Sequence, residues 1–206
     1  MKNLLKPLTS LFLLAGMGLA PTTEAALIAR LGGQAVYDTD RDITWLANAN
    51  ANGLMNWQTA IDWAAGLNIG GYSGWRLPSA LNTNGSGPCS GNNCTGSELG
   101  HLYYTELGVT AGNNITSSTS TYLQLFTNVQ NSVYWAANLF ASNPNNFAWS
   151  FLANSGVQTS VTKTTPYYAW AVRTGDVGGT VPEPGILGLM GIGALAWAGT
   201  RHKRRG

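Results

Sequence analysis

The chain has 206 residues, of which only 10% are charged, and its formal net charge is +2. That positive balance sits at the ends: Lys2, Lys6 and the four Lys/Arg beyond residue 200 are six of its eleven cations, while the stretch from Ala26 to Pro184 carries five cations against eight acids, a net −3. A basic surface able to release counterions from phosphates is therefore missing, and nucleic acid is not an expected partner. At the N-terminus, Lys2 and Lys6 precede the apolar stretch Leu8 to Ala20 and then small residues, the layout of a secretory signal peptide, 1–25, cut by signal peptidase after Ala25. The apolar run is shorter than the roughly 20 residues that span a bilayer, which argues against a retained anchor.

Roughly 155 residues follow, enough for one domain with a core of its own, placed at 26–176. "QAVYDTDRDITWL" predicts two short strands, Gln34 to Tyr37 and Ile43 to Leu46, around an Asp-rich turn. Asp38, Asp40 and Asp42 alternate as at the start of a calcium loop. The Gly and the closing Glu of such a loop are absent, so side chains bonding local backbone are expected instead. In "MNWQTAIDWAAGLNIGG", Asn56 is the N-cap of a helix whose apolar face is Trp57, Ala60, Ile61, Ala64 and Leu67, ended by Gly70 and Gly71. Trp63 lies off that face. Tyr72 to Leu77, in "GGYSGWRLPS", is a short extended piece stopped by Pro78.

Cys89 and Cys94 fall in "PCSGNNCTG", a Gly/Asn/Ser-rich segment, and in an exported chain they are expected to form a disulfide that pins this loop. Two thiolates with no histidine nearby do not complete a tetrahedral site, so no metal centre and no cofactor are expected. "SELGHLYYTELG" predicts a second helix capped by Ser97, with Leu99, Leu102, Tyr103 and Leu107 for burial. His101 is read as a hydrogen-bonded packing residue, and Glu98 and Glu106, eight residues apart, are not one carboxylate pair. "SVYWAANLF", "FAWSFLA", "GVQTSVTK" and "YYAWAVRTG" then predict a terminal antiparallel meander, and helices followed by strands make the class α+β.

A short linker, 177–181, leads to "VPEPGILGLMGIGALAWAGTRHKRRG". A motif containing Pro182, Glu183 and Pro184, a Gly-rich apolar run and a basic close stand in series at 182–206. This segment resembles the PEP-CTERM sorting signal of Gram-negative bacteria. The resemblance implies recognition by an exosortase, association with exopolysaccharide export, and a transmembrane sorting helix whose basic end stays on the cytoplasmic side. The expected location is the cell surface or extracellular matrix, with membrane contact only through that helix.

"NWQTAIDWA", "GGYSGWRLPS", "SELGHLYYTELG", "VYWAA", "AWSF" and "YAWAVRTGD" together resemble the bacterial domain family that includes the C-terminal domain of collagen-like adhesins. That family is related to formylglycine-generating-enzyme and C-type-lectin-like folds. The resemblance implies two helices packed on a small antiparallel sheet ending in the meander. Ser79 stands where Thr is frequent, and the cysteine loop is inserted before the second helix. Arg76 is expected to serve the fold by lacing backbone carbonyls or a carboxylate, and Arg173 likewise. Formylglycine-generating enzymes bind copper through a cysteine pair that lies much later in the fold than Cys89 and Cys94, so an oxidase is the lesser alternative. The expected function is non-catalytic binding of carbohydrate, with exopolysaccharide as candidate ligand, through Trp135, Asn143, Asn145, Phe147 and Trp149, where amides meet hydroxyls and aromatics stack on pyranose faces. A passive matrix component is the other alternative.

Overall fold

A computed structural model describes residues 27–178. The signal peptide, its cleavage position at Ala25, the Pro182–Glu183–Pro184 motif and the sorting helix all lie outside the described residues. Within them no helix is long and apolar enough to cross a membrane.

Two sheets carry the fold. The first has the order β1-β2-β3-β9, with β1 Leu27–Arg30, β2 Ala35–Asp38, β3 Ile43–Leu46 and β9 Val172–Thr174, all neighbours antiparallel. The second has the order β4-β8-β5-β6-β7, with β4 Leu54–Met55, β5 Val133–Leu139, β6 Phe147–Leu152, β7 Val157–Thr162 and β8 Tyr167–Tyr168. The expected single small antiparallel sheet is thus corrected to two. The meander holds for β5, β6 and β7, but "YYAWAVRTG" is not its fourth strand. It breaks at Ala169 to Ala171: β8 joins β5 in parallel and β4 antiparallel, and β9 crosses to pair with β3. This stretch is buried on both faces, Trp170 and Val172 in one core cluster and Ala169 and Ala171 in the other, so its two ends can serve different sheets.

Helix α1, Trp57–Ala65, starts where the Asn56 side chain accepts from the Thr59 N–H. Trp57, Ala60 and Ala64 are buried, with Ile61, Trp63 and Leu67 packed at the margin. The chain turns out of it at Gly70 and Gly71, whose φ of 60° and 88° favour glycine. Helix α2, Glu98–His101, is shorter than expected, because from Leu102 to Glu106 the ladder loosens to π-helical spacing and Leu107 N–H reaches Leu102 O at 2.9 Å. Its predicted apolar residues Leu99, Leu102, Tyr103 and Leu107 are all buried.

The core is aromatic, and three of its indoles donate to backbone carbonyls, while the buried Trp45 Nε1 has no hydrogen-bond partner. Trp57 Nε1 donates to Ala136 O, Trp135 Nε1 to Met55 O and Trp170 Nε1 to Leu46 O, at 2.9, 2.8 and 2.7 Å. Each such bond ties two segments distant in sequence, so the tryptophans fix topology as well as fill volume.

Candidate functional site

The segment after Arg76 is held from three directions. Arg76 exchanges backbone hydrogen bonds with Val172 of β9, at 2.8 Å each way. The register of β5 against β6 shifts between Trp135 and Leu139, and there β5 turns to this segment instead: Ala137 N–H donates to Pro78 O at 2.8 Å, and Asn138 Oδ1 accepts from Ala80 N–H at 2.7 Å. From β7, the buried Gln158 amide donates to Ala80 O at 3.0 Å and to Cys89 O at 2.7 Å. Gln158 thereby fastens the disulfide loop to the sheet, and Cys89 and Cys94 are bonded as expected. Gly100 of α2 lies so close to this loop that a Cβ there would stand 1.9 Å from Cys94 O, which leaves no other residue type for the position.

Arg76 meets Glu98, the first residue of α2, in a two-pronged pair: Nη1 to Oε2 at 2.8 Å and Nη2 to Oε1 at 2.7 Å. Nη1 also donates to Leu77 O, and Glu98 Oε2 accepts from Ser79 N–H at 2.7 Å. The hydrogen bonds to Glu98 raise the Arg76 pKa above its ordinary value against the opposing effect of burial. Arg173 is placed differently, donating to Ser73 O and Asp176 O with its guanidinium over the Tyr72 ring.

Facing the Arg76–Glu98 pair is the β2–β3 turn. Asp38 Oδ1 accepts from the Asp40 and Arg41 N–H groups at 3.1 and 3.0 Å, the local bonding expected of this Asp-rich turn. Arg41 reaches across to the disulfide loop, donating to Thr95 O at 2.7 Å, Gly96 O at 2.9 Å and the Thr83 hydroxyl. Burial holds its pKa below the ordinary value. Between these parts lies an open groove of about 310 Å³, whose polar lining is Arg41, Arg76, Ser79, Asn82, Thr83, Glu98 and Thr174. Its rim offers hydroxyls, an amide and charges that are already partnered.

The residues picked from the sequence for sugar contact are elsewhere. Trp135 is completely buried, edge-on to Tyr167, and Trp149 is buried with Ala80, Ala136 and Phe140. Neither presents a face to a ligand, which corrects the expectation that they stack on sugars: they lie on opposite faces of the β5–β6 pair, each covered by other parts of the fold. Phe147 is half-buried beside Phe140. Asn143 caps a turn, its Oδ1 accepting from Asn146 Nδ2, and Asn145 is exposed next to it. The groove residues Arg41, Asn82, Thr83 and Glu98 were missed. Only the concentration of polar residues around the cysteine loop could have pointed to them.

The sequence pattern of the Lcl C-terminal domain family matches residues 34–173. The chain belongs to that family. The Lcl C-terminal match begins within the first sheet, after β1, and ends on β9, so it takes in both walls of the groove. A second match, to the PEP-CTERM protein-sorting motif, covers 180–205 and makes this an exported protein sorted by an exosortase toward the cell surface. A search of curated proteins returned no match.

Proposed function

We propose that this Lcl C-terminal domain is a non-catalytic, C-type-lectin-like module that binds carbohydrate weakly at the surface or in the extracellular matrix of a Gram-negative bacterium, with the cell's own exopolysaccharide as ligand. The observation that carries the reading is the open groove with Ser79, Asn82 and Thr83 on its lining, held in place by the Arg76–Glu98 pair and the disulfide loop. Hydroxyl and amide groups on a supported rim suit polyhydroxyl ligands, and the sorting motif directs the domain to the cell surface, where it would meet them. Neither histidine nor cysteine lines the groove, and the cysteines are engaged with each other, so the arrangement favours binding over oxidase chemistry. Affinity is modest, because polar contacts must first displace water and neither Trp135 nor Trp149 offers an open indole face.

Titration calorimetry of the disulfide-intact domain against the producing cell's exopolysaccharide tests this. Binding that varies little with salt, and that Asn82→Ala with Thr83→Ala weakens without lowering the melting temperature, is the expected result. Absence of both heat and retention on the polymer would leave the domain a passive matrix component.

A further inference from the structure

A second group of polar residues, independent of the groove, lies beneath the β2–β3 turn. Asp38, at the end of β2, meets His101 and Glu106 from the second helical segment, and one ligand-type atom from each lies within 4.8 Å of the others. All three residues are buried. His101 Nε2 donates to Glu106 Oε1 at 3.0 Å, while Asp38 Oδ2 and Glu106 Oε2, both buried, have no hydrogen-bond partner.

An unpartnered buried carboxylate oxygen is costly, and two beside a single imidazole make the arrangement incomplete as a hydrogen-bonded network. Arg41 does not complete it, since its guanidinium hydrogen bonds go to Thr83, Thr95 and Gly96. The backbone has also been arranged to assemble the group. In an α-helix a residue five positions on lies about 140° around the axis, which would turn Glu106 away from His101. The π-helical turn from Leu102 to Glu106 brings it back, and such turns concentrate at functional sites.

We propose that Asp38, His101 and Glu106 form a structural site for one divalent transition-metal ion of the zinc or manganese kind. Imidazole with two carboxylates suits these ions better than calcium, which takes oxygen alone. Two donors about 2.1 Å from one metal stand about 3.0 to 3.4 Å apart at ordinary angles, and the Nε2 to Oε1 separation of 3.0 Å already meets that; the metal takes the place of the Nε2 proton. Asp40, exposed with Oδ2 4.0 Å from His101 Nε2, supplies the way in and a fourth donor. The ion would tie the first sheet to the second helical segment, a role outside ligand binding in the groove.

The test uses the full chain, stripped with EDTA and titrated separately with zinc, manganese and calcium chlorides while melting and bound metal are followed. One equivalent of zinc or manganese should bind and raise the melting temperature, with calcium ineffective. Asp38→Asn and Glu106→Gln should weaken binding by about 100-fold or more, beyond the 10- to 100-fold typical of losing a supporting partner. Glu106→Gln removes a buried charge, so metal-free it should fold at least as stably as the parent, and its melting should no longer respond to zinc. Binding that survives both substitutions would place the ion elsewhere and overturn the proposal. So would a stripped parent whose melting responds to neither ion, or a response to calcium alone.

Discussion

Replacing Arg76 with alanine tests whether the pair under the groove holds the fold or serves a ligand. The substitution removes two charged hydrogen bonds to Glu98 and one to Leu77 O, and leaves Glu98, whose side chain is only 12% exposed, with Ser79 N–H alone. Orphaning one member of a fully buried ion pair costs about 3–5 kcal/mol. The Arg76 side chain is 37% exposed, so water screens part of the interaction and a loss of about 2 kcal/mol is expected. For a domain near 150 residues this is roughly 4–8 °C of melting temperature. Calorimetry of residues 26–178 with the disulfide intact would measure it. Arg76→Lys should recover less than half, since an ammonium cannot reproduce the fork. A cycle with Glu98→Gln should give a coupling of about 1–2 kcal/mol. If Arg76→Ala melts within about 1 °C of the parent, or if lysine restores it fully, the structural role assigned to the pair is wrong.

A second ion pair, Arg30 Nε to Asp176 Oδ1 at 2.7 Å, joins the two ends of the domain. Its hydrogen bond holds the Asp176 carboxyl below the ordinary 3.8, so the stabilisation is complete above that value and is lost as pH falls through the lower folded one. Asp176→Asn should therefore cost about 0.5–1 kcal/mol at neutral pH and nothing in strong acid; a difference in melting temperature that persists in acid would contradict this. Reducing Cys89–Cys94 should cost about 2 kcal/mol on the chain-entropy account of so short a loop, with far-ultraviolet dichroism unchanged. Collapse of the fold on reduction would show the bridge to do more than pin its loop.

Local signals in the sequence translated into structure with few errors. Asn56 and Ser97 cap the helices predicted for them, β3 runs over the expected residues, and β5, β6 and β7 form the predicted hairpins. What could not be read was settled by contacts between distant segments. Nothing in "YYAWAVRTG" says that its two halves belong to different sheets, because a continuous apolar run has the same pattern whether one core or two enclose it. Trp135 and Trp149 illustrate the same limit, as composition cannot distinguish an indole that stacks on a ligand from one buried in the fold. His101 is hydrogen-bonded as expected of a packing residue, but that its partner is Glu106 was not legible, because the π-helical turn that unites them leaves no pattern in the sequence.

The crossing of β9 to the first sheet has a mechanical consequence. β9 is the last strand before the sorting segment, and Arg76, on the groove lining, is hydrogen-bonded directly to Val172 within it. Tension between a polymer held in the groove and a tether beyond the C-terminal end would have a direct route to the tether through one strand. The neighbouring β3–β9 pairing, from Ile43 with Thr174 to Trp45 with Val172, would be loaded along its length, so its hydrogen bonds share the force and do not open one after another.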